Sequence, residues 1–180
     1  MKKKSGLWKT AAVFLLFAAG IFAVFFGIRF QKRSVLLADD GDCHCMVSIR
    51  CDTVLSAMDK LESGKKEMIP PDGVILPPTE VSFAGDSSAF DVLYKAVREQ
   101  KIHMEFSDSP MYNAVYIEGI GNLYEFDCGD LSGWMYSVNG YFPNYGISLY
   151  ELKDGDVLEV MYTCDLGEDV GNSYKTEEDR

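Results

Sequence analysis

One uninterrupted apolar run near the N-terminus constrains this chain more than any other feature. Residues 11–28 read AAVFLLFAAGIFAVFFGI, eighteen residues without a charge or a hydrogen-bonding side chain. A helix rises about 1.5 Å per residue, so this run crosses most of a hydrocarbon layer about 30 Å thick. A cleaved signal peptide is the alternative, but its apolar region is usually shorter, and this run ends at Arg29 instead of a small-residue cleavage site. The sequence therefore predicts an uncleaved, single-pass membrane anchor within residues 1–33.

The orientation of that anchor is indicated by the cysteines more than by charge. Four lysines precede the span and three basic residues follow it, so the positive-inside rule barely decides the orientation. Four of the five cysteines occupy strand or strand-end positions, which suits disulfides in an oxidising compartment. We therefore expect the C-terminal part to lie outside the cytoplasm. Ala19, Ala23 and Gly27 form a row of small residues on which two anchors can pack as a homodimer, although such rows also arise by chance.

Charge divides the chain into a basic N-terminus and an acidic remainder. Residues 1–33 hold seven basic and no acidic residues, which leaves ten basic against twenty-eight acidic residues, a net charge of −18, for residues 34–180. Such a surface repels polyphosphates and anionic membranes, so we exclude nucleic acid as a partner. It favours solubility, cationic partners or neutral ligands.

Composition divides the acidic remainder into three parts. Residues 34–44 are a short polar stalk that ends in an Asp/Gly cluster, and residues 167–180 are a polar tail that we predict to be disordered. Between them, residues 45–166 have the length of one small domain.

The first half of this domain shows one clear strand and several weaker elements. Alternating apolar and polar residues over 45–51 predict a half-buried strand. Helical spacing over barely three turns predicts a short helix at 54–62. The stretch MIPPDGVILPPTE holds two Pro pairs and predicts a turn-rich connection with a short edge strand at 74–76, before another strand at 81–83.

The second half begins with the best helix of the domain. Ser88 is its expected N-cap and Asp91, three residues on, its capping partner. A Gly-rich turn, EGIGN, then joins two strands, and Asn139-Gly140 is a strong two-residue hairpin turn. We expect the strands after the helix at 103–106, 114–117, 123–126, 134–138 and 157–164.

This order of elements predicts an α+β fold. A strand, an edge strand, a helix and then several strands that end in a closing strand are typical of a β-grasp-like, β-rich domain with one main helix. A mostly-β sandwich with one helix is the alternative.

Four segments of the domain resemble a known family. They read VSFAGDSSAFDVLYKAV, YIEGIGNLYE, GWMYSVNG and YELKDGDVLEVMYT. Together they are similar to a bacterial domain family of unknown function that resembles the C-terminal domain of the cobalamin carriers transcobalamin and intrinsic factor. The resemblance covers roughly residues 45–164. It implies an extracellular or membrane-tethered module at a bacterial cell surface.

The cysteines can form disulfides only between distant segments. Cys45 and Cys51 lie at opposite ends of one strand, about 20 Å apart, which is far beyond the reach of a disulfide. If the first strand lies parallel beside the last one, as in a β-grasp sheet, Cys51 comes near Cys164, which leaves Cys45 for Cys128. Cys43 has no partner in this pairing, so it is either a free thiol or a cross-link between two chains.

A metal site is the alternative interpretation of part of this set. Asp42 and the run Cys43-His44-Cys45 hold thiolate and imidazole ligands that suit zinc or copper. A second ligand pair at metal spacing is missing, so we favour the disulfides and expect no metal and no cofactor.

We find no pattern typical of an enzyme. His44 and His103 are the only histidines, and no Ser or Cys partner is implied for His103. Glu118 and Glu125 are expected to face each other across a hairpin, but solvated strand faces carry such pairs routinely. We therefore expect a non-catalytic protein.

Aromatic residues are the feature most suited to binding. Tyr and Trp side chains supply a large amphipathic contact area at low entropic cost. Core packing also explains the pair on one strand face, Trp134 and Tyr136. The candidate ligand-binding residues are Trp134, Tyr136, Asn139, Tyr141, Phe142, Tyr145 and Tyr150.

Two functions remain open from the sequence. The first is capture of a small neutral molecule, a corrinoid on the strength of the resemblance. The second is a structural or adhesive surface module that acts through protein contacts. A concave aromatic pocket would support the first, and a flat or convex aromatic patch the second.

Overall fold

The computed structural model of the chain describes residues 41–109, 111 and 113–172. The expected anchor and most of the stalk and of the C-terminal tail therefore lie outside the described residues. Within the described part, no helix has the length and apolarity needed to span a membrane.

The described residues form seven strands and one α-helix. Four short 3-10 helices lie at Asp52–Ser56, Lys66–Met68, Ile147–Leu149 and Glu168–Val170, the last of them inside the tail that we expected to be disordered. The longer elements are β1 (Cys43–Arg50), β2 (Val74–Phe83), α1 (Ala89–Glu99), β3 (Met104–Ser109), β4 (Ala114–Ile120), β5 (Leu123–Tyr124), β6 (Gly133–Val138) and β7 (Val157–Thr163). The predicted α+β class is confirmed.

The strands make two sheets. The first has four strands in the order β2-β1-β7-β6, and the second has three in the order β3-β4-β5. Strand β1 runs antiparallel to β2 and parallel to β7, with Met46 opposite Val157 and Arg50 opposite Met161. The parallel pairing of the first and last strands, expected for a β-grasp sheet, is therefore observed. The separate three-stranded sheet was not anticipated.

The alternation predicted for β1 is present. Cys45, Val47 and Ile49 are buried, whereas the intervening Met46 and Ser48 are half-buried. A strand has a side-chain period of two, so one face packs into the core and the other meets solvent.

Two predicted elements of the first half are wrong. The Pro-rich stretch is not a connection between two short strands, because β2 continues through Pro77 and Pro78 as one ten-residue strand. This strand lies at a sheet edge, where a missing N–H can face away from its one partner. The short helix expected at 54–62 is replaced by a 3-10 helix and turns, held by the hydroxyl of Thr53, which donates to the carbonyl of Tyr162.

Helix α1 begins as predicted. The hydroxyl of Ser88 accepts a hydrogen bond from the backbone N–H of Asp91, and the Asp91 carboxylate accepts one from the backbone N–H of Ser88. This reciprocal capping box satisfies two backbone donors at the helix start. The buried Phe90 meets Phe106 of β3 edge to face, with ring centroids 4.8 Å apart, and so joins the helix to the second sheet.

A buried tyrosine of β7 connects the two sheets. The hydroxyl of Tyr162 donates to the carbonyl of Tyr124 at 2.7 Å and lies 2.9 Å from the hydroxyl of Ser132. Trp134 of β6 packs edge to face on Tyr162 and donates its indole N–H to the carbonyl of Leu123 at 2.9 Å. These contacts hold β6, the edge of the first sheet, beside the second sheet.

Candidate functional site: an uncharged aromatic groove

A half-open groove of about 1080 Å³ lies where the edge of the first sheet meets the second sheet. One side consists of residues 114–117 of β4, and the other of residues 134–136 of β6. Residues 140–147, which we call the aromatic loop, complete it, together with Ser109, Leu149, Gly171 and Asn172.

The aromatic loop begins at the predicted hairpin turn. Asn139 and Gly140 both have positive φ, 53° and 77°, and Val138 and Tyr141 exchange backbone hydrogen bonds across them. The amide of Asn139 donates to the Asp156 carboxylate at 2.8 Å, and its oxygen accepts from the N–H of Val157 at 2.9 Å. Asn139, a predicted ligand-binding residue, therefore holds the turn against β7 and does not line the groove.

The far end of the aromatic loop is held against β4. The backbone N–H of Val115 donates to the buried hydroxyl of Ser148 at 2.9 Å. Gly146 approaches so closely that a Cβ atom there would lie 2.4 Å from the Cβ of Ala114. Only glycine fits between the loop and the strand at this distance.

Three tyrosines, two of which line the groove, contact one another. The hydroxyl of Tyr136 donates to the carbonyl of Tyr145 at 2.9 Å. Tyr150 stacks on Tyr145 with centroids 6.1 Å apart and meets Tyr136 edge to face at 6.3 Å. Tyr150 is not among the residues that line the groove, so its contacts position the two tyrosines that are. Burial, and then the neighbouring tyrosines, raise the pKa of Tyr136, which keeps its hydroxyl a neutral donor.

The structure brings five of the seven predicted candidates together on the groove. Tyr141 and Tyr145 are the most available, with 58% and 45% of their surface exposed. Phe142 and Trp134 are half-buried, and the indole N–H of Trp134 is already engaged in the fold. The five that line the groove are Trp134, Tyr136, Tyr141, Phe142 and Tyr145.

No described residue that lines the groove carries a formal charge. The nearest carboxylate in the hydrogen-bond network is that of Glu125, which accepts a hydrogen bond from the hydroxyl of Tyr116 on β4. Burial, and then this carboxylate, raise the pKa of Tyr116. The groove can therefore offer aromatic faces, apolar contacts, and hydroxyl or amide hydrogen bonds.

The histidines and the N-terminal cysteines lie elsewhere. His103 contacts the Glu105 carboxylate at 2.9 Å on an exposed surface, where the hydroxyl of Tyr124 also donates to Glu105. These hydrogen bonds, from Tyr124 first, lower the pKa of Glu105. His44 lies between Cys43 and Cys45 on β1, and the alternation of the strand points it to the other face. Among residues 41–172 that the structure describes, no three metal-binding side chains converge.

Both predicted disulfides are absent, and all five cysteines, each within the described part, are free thiols. The predicted partner of Cys45 was Cys128, but Cys45 lies near Asp156, which precedes β7, whereas Cys128 lies near Cys164, which follows β7, so the length of β7 separates the two. The thiol beside Cys164 is that of Cys128. The prediction failed because it placed Cys128 by elimination, without knowledge of where the segment between β5 and β6 folds.

Sequence reasoning missed the β4 side of the groove. The period-two pattern of residues 114–117 identifies a strand, but nothing in it shows that Tyr116 and Ile117 line a groove with β6. It also missed Ser148, whose hydroxyl has no distinctive sequence context. Gly146 lies within residues 45–164, which the family resemblance covers, and its role is the close approach to Ala114.

Comparisons with known proteins agree with the resemblance found in the sequence. Residues 86–163 match the family model described as Domain of unknown function (DUF4430). Haptocorrin, of the transcobalamin family, in complex with Cbi, has a similar structure, with a TM-score of 0.51 and 18% identity over 69% of this chain and 25% of that chain. This chain thus spans a quarter of the length of the haptocorrin chain. At that identity the likeness shows the fold.

A second solved structure is more distant. It is described as a "putative metal binding protein from Ruminococcus gnavus ATCC 29149" and has 14% identity and a TM-score of 0.40, over 68% of this chain and 97% of that chain. None of the curated proteins compared with this chain matches it.

Proposed function

We propose that the domain is a non-catalytic binding module that holds a small neutral molecule in the groove between β4, β6 and the aromatic loop. One observation carries the proposal: a concave, aromatic site without a formal charge lies in the acidic part of the chain, residues 34–180, whose net charge is −18. An acidic surface with a neutral groove selects against anions through long-range repulsion.

The size and lining of the groove suit a broad, flat ligand. Small-molecule sites usually occupy about 300 to 1,000 Å³ and combine apolar walls with a few polar groups. Tyr141 and Tyr145 add aromatic side chains to the lining, and Asn144 and Asn172 add amide groups. The likeness to the fold of haptocorrin makes a corrinoid the first ligand to test.

The same proposal includes a location. The apolar run of residues 11–28 supports a membrane anchor, and the family resemblance supports a domain displayed outside the cytoplasm. A tethered module of this kind would hold its ligand close to the membrane surface.

Equilibrium dialysis of the full chain in detergent, against cobalamin and cobinamide, tests the ligand directly. We expect saturable retention by the native chain and none by detergent alone. Tyr145→Ala should weaken retention by about tenfold, the loss of roughly 1.4 kcal/mol that removal of a central aromatic contact produces. Phe126→Ala is the matched control, because Phe126 is an aromatic residue with 61% exposure that does not line the groove.

Protein recognition is the second candidate, favoured by the exposed apolar side chains of the loop region. Tyr141, Tyr145 and Leu149 expose 58%, 45% and 48% of their surface. No retention of either corrinoid at about 0.1 mM, which corresponds to binding weaker than about −5.5 kcal/mol, would remove the support for corrinoid capture and favour this second function.

A further inference from the structure

A second cavity, of about 480 Å³, lies apart from the aromatic groove and has two cysteines in its wall. Cys128 belongs to the segment between β5 and β6, and Cys164 directly follows β7. Cys128 is buried and Cys164 is half-buried. Because Cys164 is half-buried in the wall of an open cavity, a small oxidant can reach its thiol from solvent.

The strand register brings these two cysteines together. Gly133 of β6 pairs with Thr163 of β7, so the next step of the ladder places Ser132 opposite Cys164. The backbone N–H of Leu166 donates to the carbonyl of Leu131 at 3.0 Å, which shows that the two segments stay adjacent beyond the strands.

Cys128 also lies beside Ser132. Its backbone N–H donates to the hydroxyl of Ser132 at 3.1 Å, the residue that the register places opposite Cys164. The thiol of Cys128 contacts the carbonyl of Ala57 at 3.4 Å, and the thiol of Cys164 contacts the hydroxyl of Thr53 at 3.9 Å. Thr53 and Ala57 lie four residues apart in the segment that follows β1, so the two thiols contact neighbouring parts of one segment. The Cys128 thiol is also the neighbouring side chain that acts most strongly on the Cys164 thiol.

We propose that Cys128 and Cys164 are an oxidation site at which this domain forms a disulfide by exchange with a small-molecule disulfide. The Cys164 thiolate attacks one sulfur of the reagent, forms a mixed disulfide and releases one thiolate. Cys128 then gives up its proton and attacks the Cys164 sulfur, and the second thiolate leaves. Two protein thiols are oxidised, and one reagent disulfide is reduced to two thiols.

The other three cysteines do not compete for this partner. Cys43 and Cys45 lie at the start of β1, opposite Phe83 and Val81 of β2. Cys51 is fully buried in the small core that also contains Cys128 and against which Cys164 packs, but it does not line the cavity that Cys128 and Cys164 share. Burial, and then the Cys128 thiol, raise the pKa of Cys164, so little of this thiol is ionised at neutral pH and the exchange is slow.

The link would close a loop that contains much of the aromatic groove. Residues 128–164 include β6, the aromatic loop and the tyrosines that support it. A cross-link across a loop of this length restricts the unfolded chain, so oxidation should raise the melting temperature by about 10 °C.

The sequence allows a direct peptide-mapping test. Trypsin cleaves after Lys and Arg, so it places Cys128 in peptide 102–153, Cys164 in 154–175, Cys51 in 51–60, and Cys43 with Cys45 in 34–50. The full chain in detergent is reduced, exposed to oxidised glutathione, treated with an alkylating agent after unfolding, and digested without reductant. We expect peptides 102–153 and 154–175 to be linked, with the other two peptides recovered alkylated.

Recovery of both peptides in alkylated form, or a link between 51–60 and 154–175, overturns the proposal. Cys128→Ser and Cys164→Ser should each remove the link, whereas Cys43→Ser should keep it. If a serine variant at either site fails to fold, the native chain still gives a decision. Its melting temperature must rise on oxidation and return on addition of dithiothreitol, and an unchanged value contradicts the proposed link.

Discussion

The contact between Gly146 and Ala114 decides how closely the aromatic loop approaches β4. An added Cβ at position 146 would lie 2.4 Å from the Cβ of Ala114, whereas its next neighbour, the carbonyl oxygen of Val115, would be 3.6 Å away. The backbone of Gly146 has φ −63° and ψ 143°, which alanine adopts without strain. Gly146→Ala therefore isolates a single steric conflict with one atom.

The size of the stability loss in Gly146→Ala follows from this steric conflict. Overpacking of this kind costs about 1 to 3 kcal/mol in the free energy of unfolding. Ala114→Gly alone should cost about 0.5 kcal/mol, because glycine gains more freedom in the unfolded chain than alanine does, and Ala114 is the first residue of β4. In the double variant the two side chains exchange places and the conflict disappears. We expect the double variant to be about as stable as Ala114→Gly alone.

Urea unfolding of the native chain and the three variants measures this coupling. In Gly146→Ala the loop must move away from β4, so retention of any groove ligand should also fall, and the double variant should restore it. The reasoning is refuted if Gly146→Ala is as stable as the native chain, or if the two single losses add to within about 0.5 kcal/mol in the double variant.

Three further changes probe the frame around the site. Ser88→Ala removes the capping box with Asp91 and should lower the free energy of unfolding by about 1 kcal/mol in urea titrations. Lys65→Met removes the partner, 2.6 Å away, of the Asp127 carboxylate, whose side chain is 9% exposed, and should cost about 1 to 3 kcal/mol in the same assay. Burial, and then Asp156, raise the pKa of the Cys45 thiol from 9.0 to about 12, so the folded state keeps a proton that the unfolded state releases. This contribution to stability is complete below pH 9 and should disappear as the pH rises toward 12, which melting temperatures at increasing pH can follow.

Each of these expectations has a control. Ser88→Thr keeps a capping hydroxyl and should lose much less stability than the alanine variant. Lys60→Met changes an exposed lysine and should stay within about 0.5 kcal/mol of the native chain. Cys45→Ala should make the alkaline decline shallower, and a decline of unchanged steepness in this variant would assign it to the other groups whose pKa burial raises, which are Cys51, Cys164 and tyrosines such as Tyr162.

Local patterns predicted the elements that local chemistry stabilises. The Ser88 capping box and the alternation of β1 each depend on residues within a few positions of one another, and both are present in the structure. The Pro pair in β2 led to the wrong prediction of two short strands with a turn-rich connection. Proline has no backbone N–H, so it is excluded from a strand only at positions where the ladder needs that donor. At a sheet edge that condition is relaxed, and whether a strand lies at an edge is a property of the whole sheet.

The candidate site shows the same division. The aromatic residues of β6 and the loop, and the tight turn at Asn139-Gly140, were visible as residue types in a short segment. The other side of the groove, from β4, and the proximity of Cys128 to Cys164 were not visible. Composition and periodicity describe what each segment can bury, but the packing of the two sheets chooses which segments meet. For this chain, that packing turned a set of aromatic residues into a groove and placed two distant thiols side by side.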